Sequence, residues 1–108
     1  MALTKRALRA AGWALTQDCQ KDGVGYDLRF AKGTAELHVE VKGVQSSTLA
    51  FNMTPKETWR LETDPDFVVV TVTSVLSPHA YKMHLLTCDQ LASAKRVITG
   101  YRLMVLRS

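Results

Sequence analysis

The stretch that decides the fold is residues 24–43, VGYDLRFAKGTAELHVEVKG. Apolar and polar residues alternate along it on both sides of the Lys32-Gly33 pair, as in two half-buried strands joined by a tight turn. If that pair forms a two-residue turn, each apolar residue of one strand faces an apolar residue of the other. The predicted partners are Phe30 with Ala35, Leu28 with Leu37, and Tyr26 with Val39.

The polar face of this hairpin carries residue types that suit a metal ion. In the predicted register Asp27 faces His38 and lies diagonal to Glu40, and Lys42 follows on the same face. Carboxylate oxygens bind Mg²⁺ together with waters and a substrate oxygen, and a neighbouring ammonium can position or polarise an attacking water. We therefore predict Asp27, Glu40 and Lys42 as catalytic residues for phosphodiester hydrolysis, with the two carboxylates as metal ligands.

The same residues also have a simpler interpretation. A half-exposed strand needs polar side chains at positions 36, 38, 40 and 42, and Glu-His-Glu-Lys is typical of a solvated face. We assign His38 no role, and a cross-strand ion pair with Glu36 accounts for Arg29. Gln45 follows Glu-x-Lys closely enough to reach nucleic acid or the metal shell, so we keep it as a candidate catalytic residue.

The rest of the sequence predicts helices and strands around this hairpin. An amphipathic helix covers residues 3–11, and a first strand covers residues 13–16. Thr54, Pro55 and Glu57 form a helix-start signature, and capping is a sufficient explanation for them. The β-branched run 67–75 is typical of a central strand. We predict a further strand near 81–85, a helix from Thr87 to about residue 98, and a last strand over 101–106.

Length, charge and cysteine content limit the class of protein. The 108 residues, 46% of them hydrophobic, support a single domain over residues 1–108. Two distant cysteines predict neither a disulfide framework nor a zinc ribbon, and no signal peptide or bilayer-spanning run is evident, so we predict a cytoplasmic protein without membrane contact. The net charge is only +4, but residues 1–17 contain no carboxylate. This asymmetry predicts nucleic-acid contacts by Lys5, Arg6 and Arg9.

The ordered motifs of the chain resemble a known family. They are Gly12-Trp13, Gly25-Tyr26-Asp27, Val39-Glu40-Val41-Lys42-Gly43, Phe51-x-x-Thr54-x-x-Glu57 and the Val-rich strand after them. Over residues 1–75 they look like the NO VEIN C-terminal domain, and the order of elements resembles the PD-(D/E)xK nuclease superfamily. The resemblance implies an α/β fold with a restriction-endonuclease-like αβββαβ core, which is a mixed sheet flanked by helices. Residues 76–108 would add a strand-helix-strand extension.

The resemblance also implies a function. It indicates a Mg²⁺-dependent nuclease of a restriction, repair or defence system, with Mn²⁺ as a substitute and DNA favoured over RNA as substrate. It adds the Val41 carbonyl as a metal ligand, and a homodimer or a partner domain that selects the target. Many members of the superfamily supply another acid from the first helix, which residues 1–17 lack. Two alternatives stay open: a degenerate nuclease fold that binds nucleic acid or protein without cleavage, and a plain α/β interaction domain.

Overall fold

A computed structural model describes residues 1–96 of the chain. Within this range, helices and strands follow in the order α1, β1, β2, β3, α2, β4, β5, α3. Their bounds are Ala2–Ala10 for α1, Ala14–Asp18 for β1, Leu28–Lys32 for β2, Ala35–Gly43 for β3, Pro55–Thr63 for α2, Phe67–Thr73 for β4, Lys82–Leu86 for β5 and Cys88–Ala92 for α3.

The five strands form one sheet in which the strand order equals the chain order. Strands β3 and β4 are parallel, and the other neighbouring pairs are antiparallel. A parallel pair needs a crossover connection, and α2 lies in the segment that makes it. The mixed sheet with flanking helices confirms the predicted α/β core.

The central hairpin forms, but the predicted register is wrong by two residues. Leu28 pairs with Val39 and Phe30 with Leu37, so the turn consists of Gly33 and Thr34. Gly33 has a φ of +61°, and a glycine at the first turn position accepts such a value without strain. Because side chains alternate with a period of two, a two-residue slip leaves every side chain on its predicted face.

The start of β2 also differs from the prediction of a strand from residue 24. Regular pairing begins at Leu28, so Tyr26 and Asp27 belong to the end of the β1–β2 loop. One step before the pair of Leu28 with Val39, Asp27 lies beside Glu40 rather than opposite His38. The shift brings the two predicted metal ligands closer together.

Apolar layers cover both faces of the sheet. On one face, Leu8 of α1 packs against a buried cluster that contains Phe30 and Val39. On the other face, Phe67 and Val69 pack with residues of α2 and α3. All residues of β4 are buried, which confirms the prediction of a strand covered on both faces, but the middle strand of the five is β3 rather than β4. The layer on the second face leaves a polar gap above β3, and the candidate site lies there.

The last helix of the described residues is shorter than predicted. Helix α3 begins after the Thr87 cap, as predicted, but ends at Ala92 rather than near residue 98. The predicted strand 101–106 lies outside the described residues. Within residues 1–96, no helix combines the length and apolar character that crossing a membrane requires.

Candidate active site

Asp27 is fixed against β3 by its backbone and its side chain. Its N–H donates to the Val39 carbonyl at 2.8 Å, and its own carbonyl accepts from the Cys19 N–H at 2.7 Å. Its side-chain Oδ2 accepts from the Val41 N–H at 2.9 Å. That amide lies beyond the end of β2, so the Asp27 carboxylate replaces the missing strand partner. The aspartate therefore extends the β2–β3 hydrogen bonding past the first residue of β2. It also holds one of its carboxylate oxygens at a defined position.

Glu40 lies next to Asp27 and is nearly inaccessible, with 6% of its surface exposed. Its side chain lines the same pocket as those of Asp27 and Glu57. Burial raises the pKa of Glu40 to about 9, with further contributions from the hydrogen bond to Asp27 and from the negative charges of Asp27 and Glu57. Without a cation, Glu40 therefore keeps a proton at neutral pH.

Lys42 is held by a carboxylate from α2. Its Nζ donates to Glu57 Oε1 at 2.6 Å, and both side chains are largely buried. Burial alone raises the pKa of Glu57, but hydrogen bonds from the Lys42 ammonium and the Thr54 amide outweigh it, so that pKa is lowered overall. The ammonium of Lys42 is therefore anchored at one carboxylate while it remains on the same strand face as Glu40.

Glu57 is the site residue that the sequence interpretation missed. The predicted capping box is confirmed: Thr54 Oγ1 accepts from the Glu57 N–H at 3.2 Å, and Glu57 Oε1 accepts from the Thr54 N–H at 3.0 Å. The same Oε1 also accepts from Lys42, so capping did not exclude a second role. We call Asp27, Glu40, Lys42 and Glu57 the pocket cluster.

The pocket cluster opens onto a concave space. Asp27, Glu40 and Glu57 line a pocket of about 160 Å³ together with Lys56 and parts of the 19–26 loop. A pocket of this volume has room for several waters or a hydrated ion. Three of the residues that line it carry carboxyl groups: Asp27, Glu40 and Glu57.

The remaining predicted site residues lie elsewhere. Gln45 is exposed in the loop after β3, and it is absent from the described residues that line the pocket. Val41 contacts the cluster through its N–H, while the carbonyl ligand role stays a prediction. The three cations of α1 lie on the helix that packs against the opposite sheet face from Glu40, and one of them, Lys5, pairs with Asp18 at 3.3 Å. We therefore find Asp27, Glu40 and Lys42 together, and the α1 cations apart from them.

A comparison with family models identifies the relatives of this chain. The model described as Protein NO VEIN, C-terminal, matches residues 1–86. The chain belongs to the NO VEIN C-terminal family. The match ends at the last residue of β5, so all five strands of the sheet belong to the NO VEIN C-terminal domain. No curated protein and no solved structure matches the chain. The family description names no reaction, so the chemistry has to be argued from the pocket cluster.

Proposed function

We propose that this domain hydrolyses phosphodiester bonds of nucleic acid with a divalent metal ion, and that DNA is favoured over RNA as substrate. One observation carries the proposal: Asp27 lies beside Glu40 and both line one pocket, with Lys42 on the same strand face as Glu40. This arrangement supports placement in the PD-(D/E)xK superfamily. We further propose that the domain acts in the cytoplasm as the nuclease part of a restriction, repair or defence system.

The donor set of the pocket cluster fits Mg²⁺, or Mn²⁺ as a substitute. Asp27 and Glu40 offer hard carboxylate oxygens, and the Val41 carbonyl is a third proposed ligand. The raised pKa of Glu40 supports this assignment, because burial and then the neighbouring Asp27 disfavour its ionised form, and a bound divalent cation would favour that form again. When bound, such an ion polarises a phosphoryl oxygen and makes a bound water more acidic.

The chain's own residues then have separate tasks. Asp27 is held by the Val41 amide, so one ligand is positioned before substrate arrives. Lys42 would orient the attacking water, and its contact with Glu57 fixes where the ammonium lies. Glu57 supplies a third carboxylate from α2, which compensates for the acid that α1 does not carry. We place Gln45 outside this machinery, as a residue that would contact the nucleic-acid strand from its exposed loop.

Basic side chains on both faces of the sheet would bind the substrate. Lys56 lines the pocket, and we propose that it contacts a phosphate near the scissile bond. Lys5, Arg6 and Arg9 on α1 would contact a more distant part of the same nucleic acid, because their helix covers the other sheet face. Contacts of this kind are independent of sequence, so a second copy of the chain or a partner domain would select the target.

A cleavage assay tests the proposal. The wild-type protein is incubated with plasmid DNA, single-stranded DNA and RNA, with Mg²⁺, Mn²⁺ or chelator. We expect metal-dependent products, and at least about a 100-fold lower rate for Asp27→Asn and for Lys42→Ala. Asp22→Asn is the control, since Asp22 is an exposed acid in the neighbouring loop that the proposal gives no role. Wild-type rates in both site variants would contradict the assignment.

One observation favours a second function, binding without cleavage. Lys42 is already paired with Glu57, and residues 1–17 contain no acid, so the site has features of a degenerate nuclease. In that case the domain binds nucleic acid with an affinity that falls steeply with salt and that chelator leaves unchanged. No product then forms with any substrate or metal. The two functions are thus separated by one combined binding and cleavage experiment.

A further inference from the structure

A second cluster of ligand-type residues lies at the start of β3, on the same sheet face as Glu40. Glu36 and His38 come from β3, and Asp64 and Asp66 come from the turn between α2 and β4. The His38 N–H donates to the Asp66 carbonyl at 2.9 Å, which holds the two segments together. We call these four residues the His38 cluster. One side-chain ligand atom each of Glu36, His38 and Asp66 lies within 4.8 Å of the other two.

The His38 ring is fixed in orientation from two sides. Its Nδ1 lies 2.5 Å from Asp64 Oδ2, and Asp64 is buried, with 8% of its surface exposed. Tyr26 stacks on the ring with a centroid distance of 4.7 Å and an interplanar angle of 10°. Because a carboxylate accepts at Nδ1, that nitrogen carries the hydrogen, and Nε2 points the other way.

Asp64 itself is committed by further contacts. Its Oδ1 accepts from the Asp66 N–H at 3.0 Å, and its Oδ2 lies 3.6 Å from Arg60 Nη1. Asp64 thus serves to orient the ring rather than to receive a ligand. A carboxylate that accepts from one nitrogen of a histidine, while the other nitrogen faces a metal ion, is a recurrent arrangement in metal sites.

The other side of the ring faces a carboxylate oxygen. His38 Nε2 lies 3.3 Å from Glu36 Oε2, while the second oxygen, Oε1, accepts from Arg29 Nη2 at 2.7 Å. Nε2 and Oε2 thus face each other at a separation that a metal ion bound to both atoms would produce. Ligands about 2.0 Å from a tetrahedral ion are about 3.3 Å apart, which equals the observed separation.

We propose that Glu36, His38 and Asp66 bind one divalent transition-metal ion of the Zn²⁺ class, with Asp64 as the residue that orients His38. An imidazole ligand favours such ions over Mg²⁺, which prefers an all-oxygen shell. Three protein ligands leave a fourth position for water. The ion would join the start of β3 to the α2–β4 turn, and it would be separate from the ion proposed between Asp27 and Glu40.

Metal titration in the absence of nucleic acid tests this proposal. The chelator-treated full chain is kept in excess Mg²⁺, so that the all-oxygen site is filled, and is then titrated with Co²⁺ and with Zn²⁺. We expect visible absorption of tetrahedral Co²⁺ that saturates at one ion per chain. We also expect Zn²⁺ to raise the unfolding temperature by several degrees, since a ligand bound only by the folded state stabilises it.

Variants identify the ligands in this titration. His38→Gln and Asp66→Asn should lose the Co²⁺ absorption and the Zn²⁺ shift, whereas His79→Gln, which changes an exposed histidine elsewhere, should keep both. Asp66→Asn leaves the contact of His38 with Asp64 in place, so it tests the site even if His38→Gln fails to fold. Absence of the Co²⁺ band in the wild type overturns the proposal.

The result does not depend on the proposed nuclease function. Glu40→Gln removes a ligand of the proposed Mg²⁺ site but no member of the His38 cluster, so it should bind Co²⁺ like the wild type. A protein that cleaves nothing can still show the Co²⁺ band, and an active nuclease can lack it. Loss of the band in Glu40→Gln would overturn the proposal, because it would place the ion in the pocket cluster.

Discussion

The carboxyl groups at the two ends of the β3 face that carries Glu40 are compensated in different ways. In the pocket cluster, three carboxyl groups meet a single ammonium, and the buried Glu40 responds by keeping its proton. In the His38 cluster, arginines from β2 and α2 approach the carboxylates. There, the hydrogen bond from Arg29 lowers the pKa of Glu36. The two clusters therefore differ in charge: an arginine stabilises the ionised form of Glu36, whereas burial favours the neutral form of Glu40.

The largest expected effect comes from a residue that supports both clusters. Gly25 precedes Tyr26, which stacks on His38, and Asp27, which belongs to the pocket cluster. Its φ is +93°, and an added Cβ would lie 2.8 Å from Arg60 Cγ and 3.0 Å from the Lys56 carbonyl oxygen. We expect Gly25→Ala to lower the free energy of unfolding by about 3 kcal/mol, through backbone strain and the displaced helix contact. Urea unfolding measures this loss.

Gly33→Ala is the matched control for that substitution. Gly33 also has a positive φ, +61°, but an added Cβ there would meet nothing within 4 Å. The expected loss is about 1 kcal/mol, from backbone conformation alone. Equal losses in the two variants would show that the close approach of the loop to α2 is unimportant.

The second prediction concerns the opposite charge states of the two clusters. The pKa of Glu40 in the folded protein is raised to about 9, so its contribution to stability is complete below the unfolded-state pKa and is lost as the pH rises toward 9. We expect Glu40→Gln to stabilise the metal-free protein at pH 8 by about 1–3 kcal/mol, because an amide needs no proton to stay neutral. Thermal unfolding between pH 5 and about pH 9 measures the effect.

Glu36→Gln should show the reverse dependence. The pKa of Glu36 is lowered in the folded protein, so its contribution is present above the unfolded-state pKa and is lost as the pH falls through the folded value. We expect a small loss of stability at pH 7 that disappears in acid. If Glu40→Gln instead destabilised the protein at pH 8, the inference that the pKa of Glu40 is raised would be wrong.

The side chains that share the β3 face could largely be predicted from the sequence, because successive residues of a strand point to opposite faces of the sheet. Asp27, Glu40 and Lys42 were placed together correctly even though the hairpin register was wrong by two residues, since such a slip preserves every face. The turn position depended on which residue takes a positive φ, and the apolar pattern is compatible with either choice. The capping signature of Thr54 was equally readable from local sequence.

The contacts across elements could not be predicted in this way. Glu57 reaches Lys42 only because α2 crosses the face of β3, and Asp64 reaches His38 only because β4 lies parallel to β3. Both contacts join residues far apart in the chain, and neither helical nor strand periodicity contains that information. His38 was therefore left without a role, although its ring is among the most constrained side chains of this face.

The smallest expected effect concerns a hydroxyl beside the pocket cluster. Thr71 of β4 pairs with Lys42 across the sheet and is fully buried, and its Oγ1 has no hydrogen-bond partner among the described residues. Thr73, two residues later on the same face, has its Oγ1 within 3.4 Å of the Lys82 carbonyl and within 3.3 Å of His84 Nε2. The two threonines thus differ in hydrogen bonding while they share strand and burial.

Replacing each threonine by valine measures what its hydroxyl contributes to stability. Thr71→Val should stabilise the protein by up to about 1 kcal/mol, because it removes a buried hydroxyl that gains nothing, while Thr73→Val should cost about 1 kcal/mol. Chemical denaturation of both variants gives the difference. A loss in Thr71→Val would mean that its hydroxyl has a water or ion as partner beside Lys42. The cleavage rate of the Thr71→Val variant would then show whether that partner takes part in the reaction, because loss of a purely structural water would leave the rate unchanged.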